Sequence, residues 1–233
     1  DLAEVKSPVV KGYLADKASV AVVNVTGDSE DIKEVVTYKP IGSWIPNIPG
    51  QPTTPIKYPN NPDDPTKPGK PTETLPYVPG FTPKDKDGNP LKPVDPTDPT
   101  KGYEVPNLPT DPSQDTPINY VKDTQKAKTT FVDEKGNPIP GVDALTEEGD
   151  SDTPLTKEAD VKAKIKELEN KGYELVSNTY PEGGKFDKDK DTDQEFTVTL
   201  KERVVPVTPD QPKTPGTPVD PNNPDGPKYP AGL

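Results

Sequence analysis

Four aspartates alternate without a break in Asp187-Lys188-Asp189-Lys190-Asp191-Thr192-Asp193. Carboxylates at positions 1, 3, 5 and 7 are the spacing of a calcium loop. Two further requirements of that loop fail: Thr192 stands where it needs glycine, and Val198 where it needs a bidentate glutamate. Asp187, Asp189, Asp191 and Asp193 are thus a candidate calcium site of irregular geometry, with a solvated acidic loop as the alternative. A second available chemistry is sugar recognition, in which aromatic faces orient a ring and polar groups select among hydroxyls. The large aromatics are Trp44, Tyr77, Tyr103, Tyr173 and Tyr180. Tyr173 is expected in a core, and Tyr180, beside the turn Pro181-Glu182-Gly183-Gly184, at the surface. Trp44, Tyr103 and Tyr180 are the candidate ligand contacts.

Hydrolysis by a carboxylate dyad needs only two acids at the right separation. Acids are plentiful, yet nothing in the sequence marks two as buried or tuned. The chain has no histidine and no cysteine. Ser-His and Cys-His nucleophiles, disulfides and cysteine zinc sites are therefore excluded. The reading is a non-enzymatic protein with no cofactor beyond the candidate calcium.

Any such site must be positioned by a chain with little core to spend. Of 233 residues, 35 are proline and 27% are hydrophobic. That apolar share is far below the usual ~45–50%, too little to order the whole chain around one core. With 28 basic against 40 acidic residues the net charge is −12. Nucleic acid and anionic membrane surfaces are unsuitable partners for such a chain. No stretch approaches 18 apolar residues, so no helix is expected to span a bilayer. The chain opens at Asp1 without methionine and without a signal peptide, and reads as a piece of a longer or processed protein.

Proline placement divides the sequence into residues 1–39, 40–118, 119–203 and 204–233. The last stretch carries proline at every third position from Pro206 to Pro230. Three residues per turn is the period of polyproline II, so 40–118 and 204–233 are expected to be semi-rigid extended linkers, with plain disorder as the alternative. Fully extended, Pro206–Pro230 would reach roughly 78 Å. The linkers repeat: Asn60-Asn61-Pro62-Asp63-Asp64-Pro65-Thr66, Asp95-Pro96-Thr97-Asp98-Pro99-Thr100 and Asp220-Pro221-Asn222-Asn223-Pro224-Asp225 resemble one another, and Lys57-Tyr58-Pro59 returns as Lys228-Tyr229-Pro230. Two apolar patches interrupt the first linker, one around Trp44 and one at Leu75, Tyr77, Val78 and Phe81. Each is open to docking, ligand binding or local self-packing. Asp87-Gly88-Asn89-Pro90 reads as a turn.

Residues 119–203 carry the compact elements. Ala127–Val132 alternates as a strand, Lys135-Gly136-Asn137-Pro138 turns, and Ile139–Glu148 returns. A helix follows, with Thr156 as N-cap, Val161, Ile165 and Leu168 on one face, Asp160–Lys164 and Glu167–Lys171 as ion pairs, and Gly172 past its end. Tyr173–Ser177 and Phe196–Leu200 complete a β-β-α-β-β order. The expected class is α+β: a small β-grasp (ubiquitin-like) ββαββ domain flanked by extended polyproline-II-like linkers. Residues 1–39, with strand-like runs at 20–26 and 32–38 around a turn at 26–31, are expected to be the end of a partial N-terminal β domain.

Lys171-Gly172-Tyr173-Glu174-Leu175-Val176-Ser177-Asn178, Tyr180-Pro181 and Phe186-Asp187-Lys188-Asp189 resemble the MucBP-type repeat of lactobacillar mucus-binding, Mub-like surface proteins. Phe131–Gly136 and Phe196–Lys201 fit it as well. Ser7–Tyr13, Asp28-Ser29 and Val36–Tyr38 are similar to the end of the companion B2-type domain. The resemblance implies an extracellular adhesin of a Gram-positive bacterium, anchored to the cell wall through its parent protein and binding mucin glycoproteins, with immunoglobulin a further partner for some members. It implies a monomeric fragment of a repeat protein. The other reading is a structural stalk that projects binding modules without holding ligand itself.

Overall fold

The computed structural model describes residues 2–23, 34–203 and 216–229. It divides into two compact units, residues 1–121 and 122–233. The first holds twelve short strands: β1 (Leu2–Lys6), β2 (Tyr13–Ala15), β3 (Ser19–Val23), β4 (Tyr38–Pro40), β5 (Ser43–Asn47), β6 (Ile56–Lys57), β7 (Asn60–Asn61), β8 (Asp64–Pro68), β9 (Thr74–Leu75), β10 (Phe81–Lys84), β11 (Tyr103–Glu104) and β12 (Thr116–Lys122). The second holds β13 (Thr124–Val132), β14 (Leu145–Asp150), α1 (Glu158–Asn170), β15 (Tyr173–Asn178) and β16 (Gln194–Glu202).

These strands form six small sheets with a single α-helix among the described residues. That overturns the expected class of one β-grasp domain between extended linkers beside a partial N-terminal domain. Residues 40–118, expected to be extended, instead supply most of the core of the first unit. A four-stranded sheet runs in the order β10-β12-β5-β6, with β12 parallel to β5 and Thr116 opposite Trp44. Leu14, Ile41, Trp44, Tyr58, Leu75, Leu91, Tyr103, Ile118 and Tyr120 pack as one cluster. The sequence before residue 40 contributes Leu14 to that same cluster. The turn expected at 26–31 lies outside the described residues.

The error has a physical source. Among the described residues, Pro62, Pro65, Pro96, Pro99, Pro112 and Pro221 stand in Asx-Pro turns rather than in polyproline II. Asp64 Oδ1 accepts the Thr66 N–H at 2.9 Å and its hydroxyl at 2.7 Å, and Asp95 Oδ1 does the same for Thr97. Asp111 holds Ser113 in the same way, and Asp98 takes the N–H and hydroxyl of Thr100. Asn61 and Asp220 take the N–H of Asp63 and Asn222 at 2.9 Å. Proline at the second position fixes φ, while the preceding Asx side chain supplies the acceptor that closes the turn. The chain therefore folds back about every few residues. Residues 216–229 are such a hairpin: Gly216 N donates to Tyr229 O, Tyr229 N to Thr217 O, and Val219 N to Pro227 O. The prolines from 206 to 215 and Pro230 lie outside the described residues.

In the second unit the sheet order is β14-β13-β16-β15, with β13 parallel to β16 and the outer pairs antiparallel. Val161, Ile165 and Leu168 of α1 pack with Phe131, Ile139, Val198 and Leu200. The apolar spacing of the helix is the reason for this face. Its N-terminus differs from expectation. Lys157 occupies the cap position without a side-chain bond, and Thr156 is instead a donor to Glu147. Asp160 pairs with Lys157 at 3.6 Å rather than with Lys164, which bonds Glu167 at 3.0 Å.

Candidate functional site

The three aromatic candidates are core side chains. Trp44 is fully buried, its ring edge-on to Tyr58 at 4.7 Å, and its Nε1 donates to Pro106 O at 3.1 Å. Tyr103 is buried in the same cluster. Tyr180, expected at the surface, is buried between sheet and helix and lies edge-on to Phe196 at 5.1 Å. None of the three offers a face to a sugar. Tryptophan on a strand with its N–H satisfied by a carbonyl is an anchor for packing, and its patch therefore resolves as self-packing.

Tyr180 has a specific structural task. Its hydroxyl donates to Glu147 Oε2 at 2.9 Å and accepts the Lys157 N–H at 3.0 Å. Glu147 Oε1 accepts the Thr156 N–H at 2.7 Å. A buried carboxylate and phenol thus satisfy the donors at the start of α1, and the negative charge suits that end of the helix. Burial, reinforced by the hydrogen bond to Glu147, pushes the Tyr180 hydroxyl up to about 12.

The aspartates of 187–193 turn on themselves. Asp189 N donates to Asp187 Oδ1 and Asp191 N to Asp189 Oδ1. Among the described residues there is no cluster of three or more acidic side chains close enough to hold a metal ion. No helix among them is long and apolar enough to cross a membrane.

The structure instead shows a groove that the sequence did not flag. In the first unit a cleft of about 780 Å³ lies over the Trp44–Pro106 contact. That volume is within the range of small-ligand sites. One wall is the turn after β10, closed by Asp85 Oδ1, which takes the Asp87 and Asn89 N–H groups at 2.9 Å. The run from Glu104 to Thr110 lines the cleft too, and Leu91 and Val105 are among its less exposed apolar residues. Asp115 is committed to the Ser43 N–H at 2.8 Å. Lys92, Glu104 and Asn107 line the groove with exposed polar side chains. A donor cation, an acceptor carboxylate and an amide that does both is a set suited to hydroxyls and N-acetyl groups. No aromatic ring lines it, so recognition there would be by hydrogen bonds beside apolar residues.

A second open surface is the face of the β14-β13-β16-β15 sheet opposite α1. Register places Lys128 opposite Thr146 and Glu195, and Thr130 opposite Thr197. Along these central strands it carries hydroxyls flanked by charges of both signs.

Comparison with known families bears on what these surfaces serve. Residues 125–202 match the family described as a mucin binding domain, and residues 1–42 match the Muc B2-like domain. Over these two stretches the chain is similar to MucBP/Mub-type repeats. Among solved structures it is similar to the type 2 repeat of the mucus binding protein MUB from Lactobacillus reuteri, at 32% identity, with a TM-score of 0.27. The alignment covers 34% of this segment and 41% of that chain, so the segment spans less than half of the solved repeat. No curated protein matches it significantly. Mub-type repeats are non-enzymatic and adhesive, consistent with a segment built around packing aromatics and open polar surfaces. The groove lies between the two matched stretches of the segment.

Proposed function

We propose that this repeat segment belongs to an extracellular surface adhesin and holds mucin glycoproteins through their sugars, with the groove of the first unit as the contact. The match of residues 125–202 to the mucin-binding family carries the ligand class. The groove supplies a concave polar surface of the right size. Its charged side chains are Asp85, Lys86, Asp87, Lys92, Glu104 and Asp115, an excess of acid. Neutral, hydroxyl-rich sugar units fit it better than acidic ones. With few free polar groups a single site would be weak, and tandem copies would sum by effective concentration.

The test is binding of the whole chain to immobilised mucin, for the native sequence and for Glu104→Ala and Asn107→Ala. Loss of one good hydrogen bond, about 1.4 kcal/mol, is tenfold in affinity. A drop of about that size in both variants supports the groove. Undiminished binding in both moves the contact to the open sheet face of the second unit. No binding by the native chain, where a multi-repeat parent does bind, favours the stalk reading.

A further inference from the structure

Lys-Gly-Tyr occurs at 11–13, 101–103 and 171–173, and the tyrosine of each copy starts a strand; the first and last copies, one in each unit, share further features. Both glycines sit at positive φ, +83° for Gly12 and +101° for Gly172, where a side chain is strained. Both tyrosines pair with the last residue of a returning strand: Tyr13 opposite Pro40, and Tyr173 opposite Glu202. In both, the next residue of that strand donates to the glycine carbonyl, Ile41 N to Gly12 O at 2.9 Å and Arg203 N to Gly172 O at 2.7 Å. The two turns are the same local structure set in two different units.

Each turn also receives an Asn-Asn-Pro hairpin. In the first unit Asn60 Nδ2 donates to Val10 O, two residues before the glycine, and Asn60 Oδ1 accepts the Gly12 N–H at 2.8 Å. In the second unit Asn223 Nδ2 donates to Asn170 O, again two residues before the glycine, at 3.5 Å. A Cβ on Gly172 would stand 2.4 Å from the backbone carbon of Gly226, so the hairpin lies directly on the glycine. The lysine of the repeated Lys-Tyr-Pro lies beside each turn, through different contacts. Lys57 Nζ lies 3.4 Å from Gly12 O and over the Tyr13 ring at 5.9 Å, and Lys228 Nζ pairs with Glu202 at 3.8 Å.

We infer that the Lys171-Gly172-Tyr173 turn is a docking platform for an Asn-Asn-Pro hairpin of the proline-rich sequence, as the Lys11-Gly12-Tyr13 turn is for the hairpin at Asn60; at Lys101-Gly102-Tyr103 the space beside the glycine is taken by Leu75 O instead. At Gly172 the occupant is residues 216–229 of this chain. At Gly12 the positive φ is the constraint; at Gly172 the platform needs glycine, because a side chain would meet the incoming backbone of Gly226 and Pro227. It needs the free carbonyl two residues upstream, which the hairpin asparagine caps. Around it stand four basic side chains, Lys164, Lys171, Arg203 and Lys228, and three acidic ones, Glu167, Glu202 and Asp225. Residues 216–229 are thus held against the sheet and helix of their own unit, not left to run out as a spacer.

The chain has no cysteine, so a single Asn222→Cys carries one spin label on the exposed tip of the hairpin, whose turn uses only the backbone N–H of that residue. In the full chain, amide signals of Asn170–Tyr173 and Arg203 should be lost with the label oxidised and return on reduction. Independently, Asn223→Ala should shift the amides of Asn170 and Gly172 and speed exchange of the Val219 and Tyr229 N–H groups. Signal loss confined to residues 216–229, together with no shift at 170–173 in Asn223→Ala, would overturn the docking.

Discussion

The Tyr180 hydroxyl donates to Glu147 Oε2 at 2.9 Å, while the other oxygen of the same carboxylate takes the Thr156 N–H at 2.7 Å. This buried pair joins β14 to the start of α1 and to the segment after β15. Its consequence is alkaline. The Tyr180 hydroxyl is raised from about 10 to about 12, so the fold prefers the protonated form. A raised folded value contributes stability that is complete below pH 10 and is lost as pH rises through 12. Thermal melts of the second unit should be flat from pH 8 to 10 and fall steeply above. Tyr180→Phe should lower stability at pH 8 by about 1–3 kcal/mol, through the orphaned Glu147 oxygen and Lys157 N–H, and should weaken the alkaline slope. An unchanged slope in Tyr180→Phe would contradict this assignment.

Trp44 is the largest fully buried side chain and the sole tryptophan. Trp44→Ala should destabilise the first unit by about 3–5 kcal/mol. The native fluorescence should be blue-shifted, insensitive to acrylamide, and unaltered by saturating mucin glycan. Quenching of Trp44 by a sugar in the folded chain would restore it as a contact residue.

The Asx-Pro turns make an acid prediction. Hydrogen bonds from Thr66, Thr97 and Ser113 hold the carboxyls of Asp64, Asp95 and Asp111 below the usual aspartate value. Depressed values contribute order that is present above about pH 4 and lost as pH falls through the folded value. Carboxyl carbon titration by NMR should find these three titrating below the chain's other exposed aspartates. Ordinary titration of all three would mean that the turns do not form in solution.

Calcium should be without specific effect. Asp187 and Asp189 spend an oxygen each on the chain's own N–H groups. Melting temperature in millimolar calcium should equal that in chelator at matched ionic strength. A rise of several degrees, abolished by Asp189→Asn, would establish a metal site.

Local elements of the second unit were legible where periodicity is strong. Val161, Ile165 and Leu168 lie at helical spacing and are buried, and Phe131, Val198 and Leu200 alternate and are buried. The first unit was not legible, because its core is assembled from isolated apolar residues spread from Leu14 to Tyr120 and joined by turns. Proline obscured those turns: a period of three suits polyproline II and Asp-Pro-Thr turns equally, and only the Asp and Thr at fixed offsets distinguish them. That signal was present in Asp64-Pro65-Thr66, Asp95-Pro96-Thr97 and Asp98-Pro99-Thr100. Tyr180 was misplaced because proximity to a turn says nothing about a carboxylate arriving from Glu147. The groove has no local signature at all, since its walls are 15 or more residues apart in sequence.

The most direct measurement is amide and side-chain chemical-shift mapping of the full chain titrated with neutral mucin-type oligosaccharides. The account predicts saturable shifts at Lys92, Glu104 and the Asn107 side-chain amide, with Trp44 Nε1 responding only weakly from its buried position. Saturable shifts confined to residues outside the groove, or none at concentrations where a multi-repeat parent binds mucin, would contradict it.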